Sequence, residues 1–191
     1  MKSKKELLDD VLRLARENIP PAPMQLDISL KKAEELASAY NADVNLCLIG
    51  VCLMDVKLSE AQKLGKQKEH VKMSADFARE FLKDYDITKE EYEKLINCVE
   101  AHHGKIPFTC IEAEICANAD CYRFIHPTGV YTFMSVLSKR YDNLKEQVEN
   151  LKYKLEEKHN ILSLDKAKEE LEYYYEEFSN QFDEILKDIG R

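Results

Sequence analysis

The chain has 191 residues, a length that fits one domain with a compact extension. Hydrophobic residues make up 45% of it, which is enough for a core and excludes wholesale disorder. The formal net charge of −8 repels phosphate backbones, so we expect no nucleic acid held by general charge attraction, although a local basic pocket for a small phosphorylated ligand remains open.

The apolar runs and the cysteines indicate in which cellular compartment the protein is expected. The longest apolar run, 46–54, is far shorter than the about 20 residues of a membrane span, and the N-terminus lacks the apolar stretch of a signal peptide. We therefore expect a cytoplasmic protein with no membrane partner. None of the six cysteines forms a Cys-x-x-Cys pair, so we expect buried, reduced thiols and no zinc knuckle.

The first three predicted elements are helices. Apolar spacing predicts a helix over 4–18, and prolines at 20, 21 and 23 predict an extended linker after it. Asp27 is a candidate cap for a second helix that runs to Tyr40 and ends at Asn41. Asp43 can cap a third helix, 44–56, which is apolar on all sides and is therefore predicted to be buried and central.

The next three predicted helices carry the polar residues of interest. A fourth helix is predicted over 66–82, and the capping box Thr88-Lys-Glu-Glu91 opens a fifth that ends in His102 and His103. The spacing Thr109-Cys-Ile-Glu112 repeats the capping-box signal for a sixth helix, which ends near Phe124. On that helix, Asp120 shares a face with small residues, so another element can approach it closely.

After residue 129 the pattern becomes heptad-like. One set of apolar residues steps by four and three: Leu137, Tyr141, Leu144, Val148, Leu151 and Leu155. A second set follows Ser163, a candidate cap, and runs to Ile189. These sets predict a helical hairpin over 135–191, with 160–163 as the turn, joined to a core over 1–134 that includes the helix 4–18. Too few heptads are present for a free coiled coil, which favours packing on the core; a homodimer through these helices is the alternative.

Five residues on successive predicted helices are candidate ligands of a divalent metal ion. Asp55 ends the buried apolar helix and needs a partner, which is Lys57, an arginine, a helix end or a metal ion. His70 lies on the next predicted helix, and the adjacent His102 and His103 point about 100° apart, so that one can bind while the other faces a neighbour. Asp120 completes the order Asp, His, His-His, Asp.

In this order the chain resembles the HD-domain superfamily of metal-dependent phosphohydrolases. The resemblance rests on four stretches within 24–134, namely Asp43 to Asp55, Glu69 to Leu82, Val99-Glu-Ala-His-His-Gly104 and Glu112 to Asp120. It implies an all-α, HD-domain-like helical bundle, with the predicted hairpin as a C-terminal extension.

Two positions depart from the family pattern. The His-Asp doublet reads Met54-Asp55, and Ile28 stands where the first histidine is expected. Methionine is a poor ligand for a hard divalent ion. The usual first metal site therefore keeps only Asp55 and Asp120, whereas Asp55, His70 and His102 or His103 form a second set with nitrogen and oxygen donors.

The resemblance implies chemistry on a small phosphorylated ligand. Asp55 and Asp120 would be the catalytic carboxylates, with Asp120 orienting or deprotonating a metal-activated water. Lys57, Lys105 and Arg123 would counter phosphate charge, although solvated surface positions explain these three residues somewhat better, because exposed basic residues are common. The hypothesis is a phosphohydrolase acting on a nucleotide or other small phosphate ester. The alternatives are a catalytically degenerate ligand-binding or protein-interaction module and a purely structural helical bundle.

Overall fold

The computed structural model describes residues 1–18 and 23–190, and these residues form an all-α structure, as predicted. Within these ranges, β structure is confined to an isolated bridge between Lys2 and Tyr85. The α-helices are α1 (Lys4–Asn18), α2 (Pro23–Ala39), α3 (Val44–Met54), α4 (Leu58–Lys63), α5 (His70–Phe81), α6 (Lys89–Ala101), α7 (Ile111–Ile125), α8 (Pro127–Leu137), α9 (Leu144–His159) and α10 (Asp165–Ile189). Single 3₁₀ turns flank α5 at Gln67–Glu69 and Leu82–Asp84.

Three of the predicted helix ends are confirmed. The Asp43 side chain accepts a hydrogen bond from the Leu46 amide at 3.1 Å and so caps α3. Thr88 and Glu91 form the reciprocal capping box of α6. Asn41 follows α2 with a φ of 54°, the left-handed conformation that asparagine tolerates after a helix.

The predicted cap at Asp27 is wrong, because α2 begins at Pro23 and Asp27 lies inside it. The fixed φ of proline suits the first turn of a helix, where its missing amide hydrogen costs nothing. Asp27 instead pairs with Arg16 of α1 at 3.0 Å. The linker prediction at positions 20 and 21 lies outside the described residues.

The other two wrong caps have partners distant in sequence. The helix α7 begins after Cys110 without a side-chain cap, and the Thr109 amide donates to Asn97 Oδ1 at 2.8 Å. The helix α10 follows Leu164, and the amides of Ser163 and Leu164 donate to Asn118 Oδ1 at 3.1 and 3.2 Å. Asparagines of α6 and α7 thus do the work that sequence reasoning assigned to local hydroxyls.

The heptad run from 137 to 155 is two helices, not one. Helix α8 ends at Leu137, and α9 starts only after Asn143, whose side chain accepts from the Glu146 amide at 2.9 Å. The short helix α4, which the sequence reasoning omitted, fills the interval between α3 and α5.

Helix α3 is central, as its apolar surface predicted, and packs against α1, α2, α5, α6 and α7. Gly50 allows this close packing. A Cβ at that position would lie 2.7 Å from Cys98 Cβ and 2.8 Å from Cys116 Sγ. The cysteines are all free; they are buried except for the half-buried Cys110.

Replacing Gly50 by alanine is expected to destabilise the protein by about 1–3 kcal/mol through overpacking. In an open helix the same change would stabilise by about 1 kcal/mol, because alanine is the better helix former. Urea unfolding of the variant and the wild type measures the difference. A stabilised G50A variant would contradict the contact of α3 with α6 and α7.

The helical hairpin of α9 and α10 packs on the core, chiefly against α7. Its inward side chains belong to the same buried cluster as α3 and α7: Val148, Leu151, Leu155, Leu171, Phe178 and Phe182. The division at residue 134 and self-association through the hairpin stay predictions. Among the described residues, no helix combines the length and apolar character that crossing a membrane requires.

Candidate metal centre

Three histidine side chains converge where α5 begins and α6 ends. His70 is the first residue of α5, and His102 and His103 directly follow α6. One ring nitrogen from each lies within 4.8 Å of the others. The closest pair, His70 Nε2 and His103 Nε2, is 3.2 Å apart.

The hydrogen bonds of the three rings point their Nε2 lone pairs at one another. Carbonyl and carboxylate oxygens only accept, so each Nδ1 that contacts one must donate. His70 Nδ1 donates to the Gln67 carbonyl at 2.7 Å and His102 Nδ1 to the Val99 carbonyl at 2.7 Å. His103 Nδ1 donates to Glu157 Oε1 at 3.0 Å. With the proton on Nδ1, each neutral ring presents an unprotonated Nε2, which is the usual arrangement of metal-binding histidines.

His102 is the most deeply placed of the three. It is fully buried, and its Nε2 has no hydrogen-bond partner among the described residues. Burial lowers the pKa of His102 to about 3 and also lowers that of His103, so His102 is neutral at pH 7. A buried acceptor without a partner costs about 1–3 kcal/mol. A cation among the three Nε2 atoms would satisfy it, so these residues fit a metal ion.

Asp55 adds an oxygen donor to the histidines. It is the C-terminal cap residue of α3 and is buried. Its Oδ1 lies 3.5 Å from His70 Nε2 and 3.7 Å from His102 Nε2. Three imidazole nitrogens and one carboxylate oxygen suit divalent transition ions, such as zinc or iron, better than magnesium or calcium.

The other oxygen of Asp55 contacts a buried cation. Arg123 Nη1 lies 2.9 Å from Asp55 Oδ2 and 2.7 Å from Asp120 Oδ1. Lys158 Nζ of α9 lies 2.6 Å from Asp120 Oδ2, although its angles do not make a directed hydrogen bond. Burial opposes the ionisation of both aspartates, but Arg123 for Asp55, and Lys158 with Arg123 for Asp120, hold the carboxyl pKa well below its usual range.

The structure thus brings together most of the predicted site. Asp55, His70, His102 and His103 form one cluster, and Asp120 reaches it through Arg123. Of the two predicted phosphate-binding lysines, Lys57 pairs through Nζ with Glu60 at 2.6 Å and lies 4.9 Å above the Phe77 ring, and Lys105 is exposed. The catalytic, metal-binding and phosphate-binding roles stay predictions.

Sequence reasoning missed three residues of the site. Gln25 of α2 accepts from Arg123 Nε at 3.1 Å, whereas Ile28, at the family's histidine position, packs against the core. Glu157 and Lys158 of α9 contact His103 and Asp120. A signal for Lys158 was present, because it takes the next heptad position after Leu155, where an apolar side chain is expected.

This all-α fold is shared with a protein of known structure. A predicted HD superfamily hydrolase from an uncultured Thermotogales bacterium, solved by crystallography, superposes with a TM-score of 0.65. The match covers 95% of this chain and 92% of that chain at 15% identity. The resemblance to the HD-domain superfamily is therefore confirmed at the level of the fold.

Curated relatives are similar over part of the chain. Ribonuclease Y from Finegoldia magna is 32% identical over 115 residues, and ribonuclease Y from Treponema denticola is 27% identical over 114 residues. Each match covers 60% of this chain and 20% of the relative, so the chain spans about a fifth of the length of these proteins. No model of a known protein family matches the chain.

Proposed function

We propose that this chain is a metal-dependent phosphohydrolase that acts on a nucleotide or another small phosphate ester. The observation that carries the proposal is the convergence of the Nε2 atoms of His70, His102 and His103 beside Asp55. The orphaned Nε2 of buried His102 supports it, because packing alone gives that atom no partner.

His70, His102, His103 and Asp55 would hold the ion. When bound, a divalent ion supplies Lewis acidity and lowers the pKa of a coordinated water. His102 and Asp55 are buried, whereas the side chains of His70 and His103 keep 13% and 16% exposure. These two partly exposed histidines therefore mark the side from which a substrate can reach the site.

Charge balance favours an anionic substrate. The buried side chains of Asp55, Asp120, Arg123 and Lys158 sum to zero charge. Addition of a divalent ion leaves positive charge that a phosphate group offsets. The name of the ribonuclease Y relatives supports a phosphate ester as substrate, and the net charge of −8 favours a small ester over a long polynucleotide.

The test is turnover with defined metals. Protein stripped with a chelator is assayed with p-nitrophenyl phosphate, nucleotides, cyclic nucleotides and short RNA, each with Mn²⁺, Co²⁺, Zn²⁺, Fe²⁺ or Mg²⁺. We expect hydrolysis of small esters with a transition ion, together with metal retained on dialysis. A protein that binds no metal and is inert with every ion would overturn the proposal, and cleavage of RNA alone would replace the substrate class.

A second candidate is a ligand-binding or interaction module without turnover. Two observations favour it. Met54 is buried at the position where the resemblance leads one to expect a histidine, and Arg123 forms ion pairs with both Asp55 and Asp120. A homodimer formed through α9 and α10 belongs to this candidate and is tested by sedimentation. Turnover that disappears in Asp55→Ala would exclude it.

Replacing Glu157 by glutamine is expected to weaken metal binding by about 10–100-fold, because the carboxylate that orients the His103 ring is lost. The metal affinity is measured by calorimetric titration with Mn²⁺ of protein from which metal has been removed with a chelator. The neighbouring Glu156→Gln is the matched control, since Glu156 is exposed and pairs only loosely with Lys152, at 3.9 Å. Equal affinities of the two variants would contradict a role for Glu157.

A further inference from the structure

We propose that Arg123 and Lys158 together replace a second metal ion, so that the chain binds one divalent ion, at the histidines, and Asp120 is not a ligand. This inference rests on the proposed function and specifies how its metal centre is composed. It concerns the space between Asp55 and Asp120, the two carboxylates that the sequence resemblance assigned to metal binding.

The geometry fills that space with a cation. One nitrogen, Arg123 Nη1, lies within 2.9 Å of an oxygen from each aspartate. The second oxygen of Asp120 lies 2.6 Å from Lys158 Nζ. Both oxygens of Asp120 are thus engaged by cations, while Asp55 keeps Oδ1 free to face the histidines.

Arg123 is held in this position from behind. Its Nε donates to Gln25 Oε1 at 3.1 Å, and Gln25 Nε2 donates to the carbonyl oxygens of Gly129 at 2.9 Å and Arg123 at 3.3 Å. The start of α8 packs directly on the end of α7, since a Cβ at Gly129 would lie 2.4 Å from the Tyr122 carbonyl oxygen. Displacing the guanidinium would break this buried network.

The charges lead to the same conclusion. Arg123 and Lys158 already supply the two positive charges that Asp55 and Asp120 need. A divalent ion added between these carboxylates would leave an excess of two charges in a position where all four side chains are less than 10% exposed. Such uncompensated burial of charge is strongly unfavourable, because the site is shielded from water. The histidine cluster differs, because it reaches the surface at His70 and His103.

The first experiment counts ions in the wild-type chain. Protein from which metal has been removed with a chelator is titrated with Mn²⁺ by calorimetry, and bound manganese is measured by elemental analysis after dialysis. We expect one equivalent per chain. Two equivalents would overturn this inference and leave the proposed function standing. A chain that retains neither manganese nor any of the other assayed ions, and is inert with each of them, would overturn both, whereas one equivalent of bound ion without phosphohydrolase activity would overturn the proposed function alone.

The second experiment asks whether Asp120 is a ligand. The double variant Asp120→Asn with Lys158→Met removes one charge of each sign, so no unpaired charge is left buried. We expect its Mn²⁺ affinity to stay within about threefold of the wild type, because Asp120 acts on the ion only through space. A loss of more than about tenfold, the scale of a lost metal contact, would overturn the inference. If this variant does not fold, the wild-type ion count decides.

Discussion

Replacing Arg123 by methionine is expected to lower the free energy of unfolding by about 3–5 kcal/mol, because Asp55 and Asp120 would stay buried with only Lys158 for compensation. Methionine keeps much of the side-chain volume, so the loss reports charge and not a cavity. For a chain of this size each kcal/mol lowers Tm by about 2–4 °C, which predicts a drop of roughly 6–20 °C. Thermal and urea unfolding of the metal-free protein measure this loss of stability.

The matched control is Arg16→Met. Arg16 also pairs with an aspartate, Asp27 at 3.0 Å, but both side chains are about half exposed. An exposed pair contributes at most about 1 kcal/mol. If R123M costs no more than R16M, the buried charge cluster does not stabilise the fold.

Local signals in the sequence sufficed for much of the fold. The caps at Asp43 and Thr88 were predicted because their partners lie three residues away. The central position of α3 followed from its apolar surface on every side, and the histidines were found because they end an amphipathic helix. In each case the sequence signal that decides the prediction lies within one helix.

The wrong predictions share a different cause. The residues Thr109 and Ser163 were assigned caps from local spacing, but Asn97 and Asn118 supply the hydrogen bonds from 12 and 45 residues away. The continuous heptad helix failed because apolar spacing persists across the break before Asn143. Periodicity reports which side chains face the core and does not report whether the backbone between them is helical.

The sequence predicted the candidate metal-binding side chains of the site but not the roles of its two buried cations, Arg123 and Lys158. Arg123 was assigned to phosphate, although its i, i+3 spacing from Asp120 on one helix already allowed an ion pair. Glu157 and Lys158 could not be placed, because their contacts depend on how the hairpin packs against α7. The histidine cluster therefore depends on the C-terminal hairpin, which supplies the carboxylate on His103 and the ammonium group on Asp120.

Replacing His102 by glutamine is expected to weaken Mn²⁺ binding by more than about 100-fold, a larger loss than removal of an outer contact produces. The physical reason is the position of the ring: His102 presents its Nε2 from the buried side, and no other described side chain gives that atom a partner. Phosphohydrolase activity should fall with metal occupancy. Calorimetric titration, elemental analysis and the visible absorption of the Co²⁺-loaded protein measure the loss.

The control for this variant is His159→Gln, since His159 is a histidine of the same region that stacks on Tyr175 and pairs with Glu172 away from the cluster. It should bind Mn²⁺ as the wild type does. In the metal-free state H102Q should unfold within about 1–2 kcal/mol of the wild type, because the glutamine amide can donate to the Val99 carbonyl as His102 Nδ1 does. An H102Q variant that folds and keeps full metal affinity would show that the ion is bound elsewhere than at the three histidines.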